Sequence, residues 1–155
     1  MALEIERKFL VRGKDYRRLA ASAVDMVQGY LSTSPYATVR VRIAGNKAFI
    51  TVKSRTKGAT RGEWEYRVPV EDARQMLSLC RGVVSKTRYL VPAPPYAWEV
   101  DEFGGHLQGL TVAEIELPAE NAPFALPHYI GREVTGDPRY YNSSLSETTT
   151  LPPTD

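Results

Sequence analysis

Cysteine is almost absent from this chain: Cys80 is the only thiol among 155 residues. No intramolecular disulfide can form and cysteine-rich zinc sites are excluded, a pattern that fits a reducing cytoplasm. Long apolar runs are missing too. None approaches the ~20 residues that a membrane helix needs, and no basic region followed by an apolar stretch suggests a signal peptide. Neither charge is in large excess. The 20 basic and 18 acidic residues leave a net +2, which argues against holding nucleic acid through bulk charge. The chain has neither a Walker phosphate loop nor a Gly-x-Ser-x-Gly elbow. His106 and His128 are far apart and lack metal-ligand spacing, so both read as structural.

What the chain does have is alternation. In "LEIERKFLV", residues 3 to 11, Glu4, Glu6 and Lys8 take one parity and Ile5, Arg7 and Phe9 the other. Successive side chains of a strand point to opposite faces, so the charged residues form a row. "MVQGYLS" sets Gln28 and Tyr30 on one parity, and "TVRVRIAGNKAFITVKS" reads as a hairpin with Arg40, Arg42 and Lys53 on its polar face. Further candidates are "GEWEYRVPV" with Glu63, Glu65 and Arg67, "VSKTRYLV" with Lys86 and Arg88, "YAWEVDEF" with Glu99 and Asp101, and "VAEIEL" with Glu114 and Glu116. Helices are expected in "KDYRRLAASA" and in "EDARQMLSLC", where Ala73, Met76, Leu77 and Cys80 form a stripe, and more weakly in "AENAPFAL". The domain is expected to span 1–146, with 147–155 a flexible polar tail.

Charge alternation on one antiparallel strand ordinarily marks a solvated face. Here the acidic and basic doublets recur on nearly every strand, and the opposite face carries large apolar residues that need a cover. Both facts are met if eight antiparallel strands close into a barrel with the charged face inward and helices packed outside, an α+β fold that is mainly β. Such an interior is about wide enough for packed side chains or one small ligand. Unpaired burial would cost several kcal/mol per ion, so these charges call for bound counter-charges. Carboxylate clusters suit Mg²⁺ or Mn²⁺, and arginine and lysine clusters suit phosphate oxygens. Together they specify a metal-chelated polyphosphate.

At these residues the chain resembles the CYTH superfamily, the triphosphate tunnel metalloenzymes. The family's Glu-x-Glu-x-Lys stands as Glu4-Ile-Glu6-Arg-Lys8, and the match runs through "RVR", "TVKS", "EWEY", "KTRY", "EVDEF" and "AEIEL" to "DPRYYNSSL". The resemblance implies an eight-stranded tunnel acting on triphosphates with a divalent metal, in a short form like bacterial enzymes that hydrolyse inorganic tripolyphosphate. Thiamine triphosphatases, other nucleotide-directed members and class IV adenylyl cyclases share fold and signature. A non-catalytic polyphosphate-binding module is the alternative outside enzymes. On this reading Glu4, Glu6, Glu114 and Glu116 form the principal metal cluster, extended by Glu63, Glu65 and Asp101. Lys8, Arg40, Arg42, Lys53, Lys86 and Arg88 hold phosphates. A family lysine–tyrosine pair carries over to Lys8 and Tyr30 as the catalytic residues, with the phenol hydrogen-bonded to the ammonium and Lys8 acting either as a phosphate clamp or as a proton-transfer group. Glu99 ranks below Asp101, and Arg67 is expected in a rim salt bridge. A homodimer is left open.

Overall fold

The computed structural model describes residues 3–154. Nine strands are present: β1 (Leu3–Val11), β2 (Ser22–Ser34), β3 (Ala37–Ala44), β4 (Lys47–Ser54), β5 (Thr60–Val68), β6 (Val83–Ala93), β7 (Tyr96–Phe103), β8 (Thr111–Glu116) and β9 (Ile130–Glu133). Their order is β5-β4-β3-β2-β6-β7-β8-β1-β9, and pairing of β1 with β5 closes the first eight into a barrel. Every pairing is antiparallel. Eight alternating segments of sequence are the eight barrel strands. The ninth strand was not anticipated: it is only four residues long and has no alternation to reveal it.

β1 divides its outer edge between two partners. Leu3, Glu4 and Ile5 pair with Gly62, Arg61 and Thr60 of β5, while Phe9 and Val11 pair with Glu133 and Ile130 of β9. Across its other edge Glu6, Lys8 and Leu10 face Glu116, Glu114 and Val112 of β8. This register places the charged parity of both strands in the lumen.

The apolar parity faces outward and is covered in two places. Phe9, Trp98, Val100, Ala113 and Ile115 form a core with Tyr16 of α1 (Asp15–Leu19) and with Leu117, Tyr129 and Ile130 of the segment after β8. Phe124 of that segment meets Phe9 and Trp98 edge-on. Full burial of such side chains stabilises by about 1.5–3 kcal/mol each. On the opposite wall α2 (Val70–Leu77) presents Ala73, Met76 and Leu77 to Val41, Ile43, Ala48 and Ile50. Glu71 and Asp72 in its first turn suit the positive end of the helix dipole.

Three expectations need correction. "AENAPFAL" is irregular, because Pro123 lacks an amide donor and biases its predecessor away from helix. α1 stops at Leu19, and residues 22 and 23, expected to be helical, belong to β2. Not every helix packs outside: α3 (Asn142–Leu145) crosses one end of the barrel. There the inward parity turns apolar. Leu10, Val84, Phe103 and Val112 continue the rows of Lys8, Lys86, Asp101 and Glu114, and pack with Leu107, Leu110, Val134, Tyr140 and Leu145 into a plug. The C-terminal stretch, read from sequence as flexible, reaches this plug, where Tyr140 Oη donates to the Pro153 carbonyl at 2.5 Å.

Candidate active site

The lumen cavity measures about 230 Å³, and apart from Asn142 every residue lining it is Glu, Arg or Lys. Its charges are mostly committed to partners. Lys53 Nζ donates to both oxygens of Glu4, at 3.1 and 3.0 Å, and stands 3.3 Å from Glu63. Arg61 Nε donates to Glu4 at 3.1 Å. Burial, the largest influence on Glu4, favours its neutral form, but Lys53, a hydrogen bond from Glu63 and Arg61 together hold it below the ordinary carboxylate range. Arg40 reaches Thr51 at 3.2 Å, and Thr51 donates to Glu65 at 2.8 Å.

Deeper in, Lys86 and Asp101 form a pair from which water is excluded, with Nζ to Oδ2 at 2.6 Å. Arg88 grips the same carboxylate through Nε at 2.8 Å and Nη2 at 2.9 Å, and donates to Glu99 at 3.0 Å. Burial is the strongest influence on Lys86, and with Arg88 and Arg42 close by it brings the ammonium down to about 7 despite Asp101. Arg42 is likewise lowered to about 9 by burial, Arg40 and Arg88. These are cations kept under mutual repulsion, a setting that favours a polyanion.

Glu6 and Glu114 touch carboxyl to carboxyl. Burial, the Glu114 and Glu4 charges and the hydrogen bond to Glu114 push Glu6 well above the ordinary range. Glu114 is held well below it: Lys8, the hydrogen bond from Glu6, Arg88 and Lys86 outweigh burial. The two carboxyls are thus pushed apart, with a proton favoured on Glu6 and the charge on Glu114. Glu63 is raised by burial and by its contact with Glu4, and Glu116 by burial, Glu4 and Glu99. No ready-made group of three or more acidic, histidine or cysteine ligands exists among the described residues. A divalent cation fits this wall nonetheless, because hard metals take carboxylate oxygens and displace the protons such pairs hold.

Lys8 resolves differently from expectation. Its Nζ donates to the Tyr140 carbonyl at 2.9 Å and lies 3.4 Å from Glu114. Burial works against its charge, but Glu114 and Glu6 raise it above the ordinary value, so it is a fixed ammonium. Tyr30 lines a cavity with Lys8, yet among the described residues no hydrogen bond joins the two side chains.

The structure also rearranges the expected set. Glu4, Glu6, Glu63, Glu65, Glu99, Glu114 and Glu116 line the lumen with Arg40, Arg42, Lys53 and Arg88. Asp101 and Lys86 lie behind this lining, whereas Glu99 is part of it. Arg67 is exposed, and the histidines lie outside the lumen, His106 on the Leu145 carbonyl and His128 on Asp15. Three contributors escaped the sequence reading. Arg61 falls one residue before the strand boundary drawn at Gly62, though its parity matches Glu63. Gln28 was placed on the polar face without a role; its Oε1 accepts from Arg42 Nε at 2.8 Å. Asn142 comes from the far end of the chain, where no periodicity points inward.

Comparisons with known proteins agree with this geometry. The chain is 48% identical over 147 residues to an inorganic triphosphatase of Acetivibrio thermocellus, covering 94% of each protein. It is 38% identical over 148 residues to an inorganic triphosphatase of Nitrosomonas europaea, covering 92% of this chain and 96% of the relative. A crystal structure of an inorganic triphosphatase superposes with a TM-score of 0.67 at 35% identity, with 99% of both chains covered. A putative adenylyl cyclase from Hippeastrum shares the fold at 15% identity and a TM-score of 0.58, covering 77% of this chain and 80% of that one. The CYTH domain model matches residues 2–149, and the chain belongs to the CYTH domain family.

Proposed function

We propose that this protein hydrolyses inorganic tripolyphosphate to pyrophosphate and orthophosphate in its lumen, with Mg²⁺ or Mn²⁺ as cofactor. The observation that carries the reading is the lumen itself: fixed cations and hydrogen-bonded carboxyl pairs line one cavity, and among the described residues no aromatic ring lines that lumen to stack a base. That last feature favours an inorganic chain over a nucleotide. The names of the two relatives support the same substrate.

Glu4, Glu6, Glu63, Glu65, Glu114 and Glu116 would hold metal. When bound, it neutralises phosphoryl oxygens and polarises them toward attack. Arg40, Arg42, Lys53 and Arg88 bind the phosphates, and Lys86 adds positive potential from beneath. Asp101 orients Lys86 and Arg88 and contacts no substrate. Water attacks a terminal phosphorus, one P–O–P bond breaks, and the bridging oxygen leaves with pyrophosphate. This chemistry depends on positioning and charge more than on a covalent intermediate. Lys8, charged and anchored, stabilises the transferring group, with Tyr30 beside it. The lone cysteine suits a cytoplasmic setting.

Purified protein should release pyrophosphate and phosphate from tripolyphosphate with Mg²⁺ or Mn²⁺ and stop in EDTA. ATP, thiamine triphosphate and pyrophosphate run in parallel. Absence of metal-dependent turnover would sink the enzyme reading, and cyclic AMP from ATP would replace it with a cyclase. Glu116→Gln should abolish activity with the fold intact.

A further inference from the structure

The plug closes only part of its end of the barrel. Beside it a second, smaller cavity of about 50 Å³ runs between the turn 55–59 and the segment 134–143. It shares Glu4, Glu6 and Asn142 with the lumen, so the two spaces adjoin. Their linings differ. Lys8 and Arg61 are joined here by neutral groups that include Tyr30, Thr38, Thr56 and Ser143. A water needs roughly 10–15 Å³ of such space, so this cavity holds a few waters. The lumen, more than four times larger, is the compartment for a polyphosphate.

We infer that this rear cavity is the port through which the attacking water reaches the substrate. The inference rests on the triphosphatase reading. A polyphosphate and its metal entering by the end of the barrel that lacks the plug, its wide mouth, fill the lumen and displace its water. In phosphoryl transfer the entering and leaving oxygens stand roughly in line across phosphorus. For the innermost phosphoryl group the pyrophosphate leaving oxygen points to the wide mouth, so the water must come from the opposite side. That side is the rear cavity. The water oxygen bonds to phosphorus, the bridging P–O bond breaks with its electron pair going to pyrophosphate, and the water's proton passes to solvent through the same port.

The port can be blocked from outside. Thr56 is exposed on the turn, and neither its side chain nor that of Ser143 is tied to the lumen charges. Thr56→Trp and Ser143→Trp, with Thr56→Ala and Ser143→Ala as controls, are assayed for kcat on tripolyphosphate with Mg²⁺. Tripolyphosphate affinity is measured by calorimetry in EDTA, and folding by thermal melting. The tryptophan variants should lose at least tenfold in kcat while affinity changes less than twofold; the alanine variants, which leave the port open, should lose far less in kcat than the tryptophan variants. Unchanged kcat in a folded Thr56→Trp protein overturns the rear port and points to attack from the wide mouth. A parent protein that leaves tripolyphosphate uncleaved fails the triphosphatase reading instead, a distinct result.

Discussion

Lys86 Nζ lies 2.6 Å from Asp101 Oδ2, behind the cavity wall and closed to solvent. Arg88 completes the contact, so one carboxylate fixes two cations. Removing one partner of a buried pair leaves an uncompensated charge, at a cost of about 3–5 kcal/mol. Asp101→Asn should therefore lower unfolding free energy by about 3 kcal/mol in urea titrations at pH 7, and reduce turnover by misplacing Arg88. The acid limb gives a second readout. Asp101 titrates at about 2 when folded against 3.8 as a free side chain, so its contribution is complete above about pH 4. It is lost as pH falls toward 2, and the variant should lack that part of the acid dependence.

The Glu6–Glu114 contact makes metal binding visible as proton release. Glu6 is raised well above 4.5, so it holds its proton in the metal-free fold at pH values where the unfolded chain has lost it. Stability of metal-free protein should then fall as pH rises from about 4.5 through the folded value, and Glu6→Gln should flatten that slope. Titrating Mn²⁺ over a series of pH values above 4.5 should release a proton from the parent in the range where Glu6 still holds it, measured by calorimetry in two buffers of different ionisation enthalpy. Equal proton release from Glu6→Gln would assign it elsewhere.

Gln28 is wholly buried, and its amide oxygen holds Arg42 Nε at 2.8 Å. Its own Nε2 and Arg40 Nε have no protein partner among the described residues, which leaves donors next to the lumen cations. Gln28→Leu removes a hydrogen bond to a charged group, about 1.5–3 kcal/mol, so KM for tripolyphosphate should rise about tenfold or more. Steady-state kinetics would show it; a loss confined to kcat would contradict a binding role.

Gly82 carries the cap across the barrel end. A Cβ at this position would overlap the Ser146 carbonyl oxygen, which belongs to backbone and cannot swing aside as a side-chain end could. Gly82→Ala should displace the segment that holds Leu145 in the plug and Tyr140 on Lys8. A cost of about 2 kcal/mol corresponds to roughly 4–8 °C in Tm for a domain of this size, readable by calorimetry.

Much of this architecture is legible in the sequence, for a definite reason. A period of two survives any register, so Glu4, Glu6, Arg40, Arg42, Glu114 and Glu116 announce a common face before their partners are known. What alternation cannot convey is depth. Asp101 and Glu99 share a parity, yet one is sealed behind arginine and the other lines the cavity. Leu10, Val84, Phe103 and Val112 share the parity of the charged rows and form the plug, which is a matter of position along the barrel. Asn142 and the Tyr140 carbonyl enter through tertiary packing of a short cap, and a main-chain acceptor leaves no trace in side-chain patterning.

The threefold pairing of β1 carries a consequence for how the molecule comes to be. Its first residues wait for β5, its middle for β8 and its end for β9, about 120 positions away in the chain. Contacts of such separation form late and slowly, because loop closure precedes any gain. Glu6 and Glu114, at opposite ends of the polypeptide, cannot meet before then. The binding cavity should thus arise in one cooperative step, and nascent or truncated chains lacking β8 should present no partial site to a stray metal or phosphate.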